Sequence, residues 1–310
     1  MEFTTLKKTD IKISKIGIGT NKIGGHNMFE GLNEQDGKDF LIEAINLGMN
    51  LIDTADVYGP ARTEELIGEA IASIDVKRED LVYASKVGVE WGIEGGGIRK
   101  NNKPEYLRKA VEDSLRRLRI DYMDLCYLHW PDNETPFSES IGELARLKEE
   151  GKILSIGVSN LPIDQLKEAA AVTDIASAQN DYNMFDRTVE KDILPYCIEN
   201  EISFVPCYPL ASGLLGGRYK VDDPVPPKME ADEFRRRVQI ADQLKVIAEQ
   251  KGATLPNLAL AWLLAQGCDA VIPGGRHPGH ARGNAEAVKV KLTQEDLTAI
   301  NDILGKSTLV

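Results

Sequence analysis

The chain has 310 residues and a formal net charge of −12, from 37 Lys and Arg against 49 Asp and Glu. That length suits two ordinary domains or one α/β barrel, and 42% hydrophobic residues argue against global disorder. The acidic balance argues against a nucleic-acid partner, and the longest apolar run, LALAWLLA over 258–265, is far short of the ~20 residues of a membrane helix.

The first 15 residues, MEFTTLKKTDIKISK, hold two short alternating stretches around a Thr9-Asp10 turn. They predict a β-hairpin ahead of the main repeat, plugging the N-terminal end of a barrel. Short apolar runs then recur at 15–20, 51–55, 81–87, 123–129, 153–160, 176–182, 202–208 and 270–275. They are continuous rather than alternating, as in parallel strands covered on both faces. Amphipathic segments lie between them, at about 34–48, 63–73, 104–119, 138–150, 162–171, 188–200, 233–251 and 293–304. In the first, Phe40, Leu41, Ala44, Ile45 and Leu47 share one side and Gly48 is a natural stop. In the third, Pro104 opens the helix and Leu107, Val111, Leu115 and Leu118 follow at helical spacing.

Eight β/α pairs without a composition break predict an α/β fold, a (β/α)8 TIM barrel forming a single domain over 1–310. A doubly wound sheet is the competing layout. Segments 88–103 and 210–232 fall outside the repeat and read as long loops over the C-terminal face; Gly95 to Gly97 signal flexibility rather than phosphate binding. The opening residues lack the apolar core of a signal peptide, and Cys126, Cys197, Cys207 and Cys268 form no CxxC pair. Reduced thiols and a cytoplasmic location are expected.

Barrel active sites lie at the C-terminal ends of the strands. Asp53 ends the second predicted strand, with Tyr58 just after it in DTADVYG; Lys86 ends the third and His129 the fourth. His129 alone would read as a core histidine. Four different ionisable types on adjacent strand ends are hard to explain by packing, because buried charge is costly unless paired. The physical reading is proton transfer, with Tyr58 as acid, Lys86 lowering the phenol's pKa, Asp53 holding Lys86 and His129 orienting a carbonyl oxygen. A tyrosine acid beside a carbonyl suggests reduction by a nicotinamide.

At this point the motifs GIGT (17–20), DTADVYG (53–59), ASKVG (84–88), LHWPD (128–132), IGVSN (156–160), PLASGLL (209–215) and VIPGGR with Asn284 (271–284) can be read together. The chain resembles the aldo-keto reductase superfamily over essentially its whole length, and within it the bacterial oxidoreductase branches. The resemblance implies an NADP(H)-dependent reductase of a small aldehyde or ketone, with Asp53, Tyr58, Lys86 and His129 as the catalytic tetrad. It also implies a cofactor groove. Gly19, Thr20 and Asp53 would border the nicotinamide, and Ser159, Asn160 and Gln179 would hold its carboxamide. Pro209, Leu210, Ser212 and Leu214 would line the pyrophosphate path, and Gly274, Arg276, His280 and Asn284 would clamp the adenosine. Arg276 suits a 2′-phosphate, because guanidinium pairs with phosphate bidentately.

Three departures stand out. Cys207 occupies the place of the usual stacking tyrosine, with Tyr208 one later, and Cys207 is expected to face the ring. Asn21 follows GIGT where an apolar or aromatic residue is common. His280 stands where glutamine or arginine is frequent, with a charge that depends on pH. Asn21, Met28, Trp91 and Trp130, with Tyr58 and His129, are the expected substrate walls. No metal is expected; His277 and His280 are three apart but lack further ligands nearby. The basic runs Arg116, Arg117, Arg119 and Arg235 to Arg237 read as solvated helix faces. A cofactor-sensing regulatory subunit, like the potassium-channel β subunits of the same superfamily, is the alternative, although nothing in the sequence marks a protein partner.

Overall fold

A computed structural model describes residues 1–92, 97–227 and 229–305. Two of the three glycines of the 95–97 run, Gly95 and Gly96, lie outside the described residues. Strands β1 (Phe3–Thr5) and β2 (Lys12–Ser14) form an antiparallel hairpin. Seven parallel strands follow: β3 (Ile18–Gly19), β4 (Leu51–Asp53), β5 (Val82–Val87), β8 (Leu125–Leu128), β9 (Ile156–Ser159), β10 (Ser177–Gln179) and β11 (Ser203–Phe204). Between β5 and β8, β6 (Val89–Trp91) and β7 (Ile98–Lys100) make a second antiparallel hairpin where only a loop was expected.

The sheet runs in sequence order from β3 to β11 and curls until its edges meet. The predicted eighth strand closes it with isolated parallel bridges, Ile16 to Val271 and Gly19 to Gly274, rather than a continuous ladder. On its other side the Asp269 amide donates to the Phe204 carbonyl at 3.1 Å. The remaining strands are shorter than the apolar runs that announced them, because those runs continue into the buried approaches to each strand.

The helices are α1 (Asn21–Gly24), α2 (Glu34–Asn46), α3 (Arg62–Ile71), α4 (Pro104–Leu118), α5 (Phe137–Glu149), α6 (Ile163–Val172), α7 (Ile193–Glu199), α8 (Ala231–Gln250), α9 (Leu255–Ala265), α10 (Pro278–Ala285) and α11 (Gln294–Gly305). The segment expected as one helix over 188–200 splits into a 3-10 turn, Thr188–Lys191, and α7. Sequence reasoning assigned no helix to 255–265. That helix buries Leu255, Leu258 to Leu263 and Asn257, so it is apolar nearly all round and carries no stripe. Its Trp262 is fully buried, with its centroid 5.5 Å from the Tyr182 ring. Trp262→Ala is expected to cost about 3–5 kcal/mol, read as a lowered denaturant midpoint. A loss under about 1 kcal/mol would show that α9 is not a core pillar.

The N-terminal hairpin does plug the barrel. Leu6 and Ile13 are fully buried and cluster with Leu51, Val82, Leu125, Tyr127 and Val205 inside the barrel. The turn sits slightly earlier than expected, over 7–9, with Lys8 at φ 58° and the Thr9 hydroxyl donating to the Leu6 carbonyl. One basic run also needs correction. Arg117 is not solvated: its Nε donates at 2.7 Å to Glu64, which is fully buried and also accepts from the Ser85 hydroxyl at 2.6 Å. Arg235 to Arg237 do lie along an exposed to half-buried helix face, paired with Asp232 and Glu233 one turn earlier.

Candidate active site

The polar side chains at the strand ends are built from backbone register upward. β4 and β5 pair with Asp53 opposite Ala84, and β5 and β8 pair with Lys86 opposite Tyr127. This register places Asp53 beside Lys86. Lys86 Nζ donates to Asp53 Oδ1 at 2.6 Å and to the Thr54 carbonyl at 2.8 Å. The other Asp53 oxygen accepts from Gln179 Nε2 at 2.9 Å. Lys86 is 1% exposed, so the pair is held away from water and is strong only because each partner satisfies the other.

Tyr58 follows β4 on a short irregular segment. Asn27 clamps that segment: its Nδ2 donates to the Val57 carbonyl and its Oδ1 accepts from the Gly59 amide. Gly59 has φ 68°, and a side chain there would meet the Gly24 carbonyl oxygen, so only glycine fits. The Tyr58 ring meets His129 edge-on, with centroids 6.2 Å apart, and Lys86 Nζ lies 5.4 Å from the Tyr58 centroid. His129 is 7% exposed, and its backbone is fixed by a bond to the Val87 carbonyl and by one from Asn160 Nδ2.

The electrostatics correct one expectation. The Tyr58 pKa is raised overall, not lowered as expected from the nearby Lys86. Burial raises it well above the usual phenol value, and the Asp53 carboxylate adds to the rise. The ammonium is instead committed to Asp53. Burial, with help from Lys86, holds His129 neutral, well below the usual imidazole value. Asp56, fully enclosed behind this cluster, is pushed up by burial and then by the Glu64 carboxylate.

A groove of about 570 Å³ opens above these side chains. Of the expected residues, Gly19, Thr20, Asn21, Met28, Asp53, Tyr58, His129, Trp130, Asn160 and Gln179 line it. Cys207, Tyr208, Pro209, Leu210, Ser212, Gly274, Arg276, His280 and Asn284 line it as well. Ser159 and Leu214 are buried behind the wall, Ser159 bonding to Asn160 Nδ2. Lys86 acts from beneath through Asp53. Trp91 sits on β6, packed against the cluster of Ala55, Val57 and Val89, and Ile98 of the opposite strand lines the groove in its place. Cys207 takes the inner position, its thiol donating to Gln179 Oε1 at 3.4 Å, while Tyr208 is 45% exposed at the rim.

Sequence reasoning missed Lys22, Asn27 and Arg218, all in the groove wall. Lys22 directly follows Asn21, and Arg218 is the sole arginine in 210–232, so position alone could have raised both. Lys22, Arg218 and Arg276 have no carboxylate within ion-pair distance among the described residues. Asn284 Nδ2 is buried in the wall without a hydrogen-bond partner among the described residues. Three unbalanced cations and an unused amide fit an anionic, base-bearing ligand such as a nicotinamide dinucleotide.

A curled parallel sheet with this constellation at its strand ends defines a barrel oxidoreductase class. The Aldo/keto reductase family profile matches residues 15–304, and the chain belongs to that family. It is 33% identical over 323 residues to the NADH-specific methylglyoxal reductase of Escherichia coli, covering 98% of each chain. It is 32% identical over 322 residues to the NADP(+) aldo-keto reductase yakc of Schizosaccharomyces pombe, covering 100% of this chain and 94% of that one. Among solved structures, the glycerol dehydrogenase AKR11B4 from Gluconobacter oxydans superposes with a TM-score of 0.91 at 34% identity, covering 99% of this chain and 96% of that one. Among the described residues no helix is long and apolar enough to cross a membrane.

Proposed function

We propose that the protein reduces a small aldehyde or ketone to its alcohol, using NADPH in preference to NADH, with Tyr58 as the proton donor. The observation that carries the reading is the Tyr58 phenol, held protonated beside neutral His129 on the floor of a groove whose far wall is cationic. Gly19, Thr20, Asn160, Gln179 and Cys207 would hold the nicotinamide end. Leu210, Ser212 and Arg218 would follow the phosphates. Arg276, His280 and Asn284 would take the adenosine and its 2′-phosphate. When bound, the dinucleotide supplies the hydride.

The chain's own residues do the rest. Asn27 and Gly59 fix the backbone around Tyr58, so the hydroxyl stands at one place on the groove floor. His129 and Tyr58 give a carbonyl oxygen two donors, which orient it and polarise the bond. Tyr58 releases its proton to that oxygen as charge develops there. Asp53 and Lys86 hold the rim rigid beneath. Asn21, Met28, Trp130 and Ile98 give the substrate a mixed polar and apolar wall, suited to a small carbonyl compound. Among the described residues no carboxylate pairs with Lys22, Arg218 or Arg276, which favours NADPH, since a 2′-phosphate adds the charge that cluster calls for.

The test is cofactor consumption, followed by absorbance, with NADPH and NADH against small, aromatic and sugar aldehydes and ketones. Turnover with at least one class, faster with NADPH at equal concentration, is the expected result. Turnover only with NADH would overturn the cofactor preference. No turnover with any carbonyl would overturn the reductase reading.

A further inference from the structure

Behind the rim the buried charges do not balance. Asp53, Asp56 and Glu64 are 3%, 2% and 0% exposed, and the cations within ion-pair distance of them are Lys86 and Arg117. Lys86 is committed to Asp53 and to the Thr54 carbonyl. Arg117 reaches in from α4 and is committed to Glu64 at 2.7 Å and to the Ser114 hydroxyl at 3.1 Å. Glu64 also accepts from the Ser85 hydroxyl at 2.6 Å. Asp56 is left over. Among the described residues no cation lies within ion-pair distance of it, and its Oδ1 is buried with no hydrogen-bond partner.

A buried carboxylate with one amide donor, from Val57, and no cation is costly, whereas the uncharged acid is far less so. Each element around Asp56 adds to this. From α3 comes Glu64, whose carboxylate repels a second one. From α4 come Arg117, already paired, and the Tyr106 phenol; from β5 comes Lys86, bound to Asp53; from β8 comes the Cys126 thiol. Burial pushes Tyr58, Tyr106 and Cys126 up, so all three stay neutral. The backbone of Asp56 is the joint of the turn that carries Tyr58. Its N–H donates to the Lys86 carbonyl at 3.2 Å, and its carbonyl accepts from the Ala61 amide at 2.7 Å, so both ends of the 56–61 turn meet at this residue.

We propose that Asp56 is a positioning residue held as an uncharged acid, and that its proton keeps the Tyr58 turn seated on β5. This rests on Tyr58 being the proton donor and goes beyond that reading, because Asp56 lies outside the groove wall. Ionisation would set a second carboxylate against Glu64 with a single guanidinium between them. Burial and then Glu64 raise the folded-state value well above the unfolded one of about 3.9. The folded protein therefore binds one proton more than the unfolded chain above that pH. Stability is lost as pH rises, until the folded-state value is reached. Asparagine keeps the shape of the acid and carries no such proton.

The experiment is urea unfolding of the whole chain and of Asp56→Asn between pH 5 and pH 7. The folding constant of the variant, divided by that of the unaltered protein, is expected to rise about tenfold per pH unit. Asp56→Ala, smaller and equally uncharged, is expected to give the same slope and carries the comparison where the asparagine variant does not fold. With a carbonyl that the unaltered enzyme reduces, Asp56→Ala is expected to lower kcat at least about tenfold at pH 7 with NADPH affinity unchanged, and Asp56→Asn to recover most of that loss. A ratio that is constant, or that falls as pH rises, would show Asp56 ionised in the folded protein and overturn the inference. An asparagine variant as slow as the alanine one would overturn the positioning role. Absence of carbonyl turnover by the unaltered enzyme would overturn the reductase reading and the positioning role with it, while the unfolding slope would still decide the state of Asp56.

Discussion

Tyr58→Phe is expected to lower carbonyl turnover by about 10²–10⁴-fold while leaving cofactor binding nearly intact. The ring and its packing remain; only the proton is removed. No neighbour can replace it. His129 is held neutral by burial, so it donates a hydrogen bond without being a ready acid, and the Lys86 ammonium is committed to Asp53 and the Thr54 carbonyl. The same electrostatics set a pH dependence. Burial and Asp53 raise the Tyr58 pKa, so the donor stays protonated through the neutral range and reduction holds its rate there. Alcohol oxidation needs the phenolate as proton acceptor, so its rate climbs as pH rises. The checks are kcat at saturating carbonyl in both directions, with fluorescence titration of the cofactor. A variant that turns over within twofold of the original would remove Tyr58 from the role of acid.

The four polar residues of the rim were legible because they obey the simplest rule of the fold. Asp53 and Lys86 close or nearly close β4 and β5, and His129 directly follows β8. Strand ends can be found from apolar runs alone. What those residues do to each other was less legible. Lys86 stands between two claims, and only the register that sets β4 against β5 decides that Asp53 holds it rather than the phenol. The cationic wall was half read. Arg276 sits in a motif, whereas Lys22 and Arg218 come from separate segments whose meeting depends on barrel closure. Trp91 was assigned to the groove because its segment read as a loop; the β6–β7 hairpin turns Ile98 toward the groove instead. Helix α9 escaped for the opposite reason, since burial on every side erases the period by which helices are recognised.

Lys86→Met should damage stability and activity together, and the two effects can be separated. The substitution leaves the Asp53 carboxylate buried with Gln179 as its remaining side-chain partner. Breaking a buried ion pair from one side typically costs about 3–5 kcal/mol, read here as a lower urea midpoint. Turnover should fall even under conditions where the variant stays folded, because Asp53 and the β4 end that leads to Tyr58 lose their anchor. Lys86→Arg is not a conservative rescue: the site is enclosed by the Tyr58 and Tyr127 rings, whose centroids lie 5.4 and 5.8 Å from Nζ, and the wider guanidinium has no room. The informative partner is the double variant Asp53→Leu with Lys86→Met. Removing both charges removes the uncompensated carboxylate, so most of the lost stability should return. Activity should not return, because the rim that positions Tyr58 and His129 is then apolar and unpinned. A single variant that loses under about 1 kcal/mol would show that the pair does not hold the rim, and a double variant that reduces carbonyls at the original rate would show that Tyr58 needs no such support.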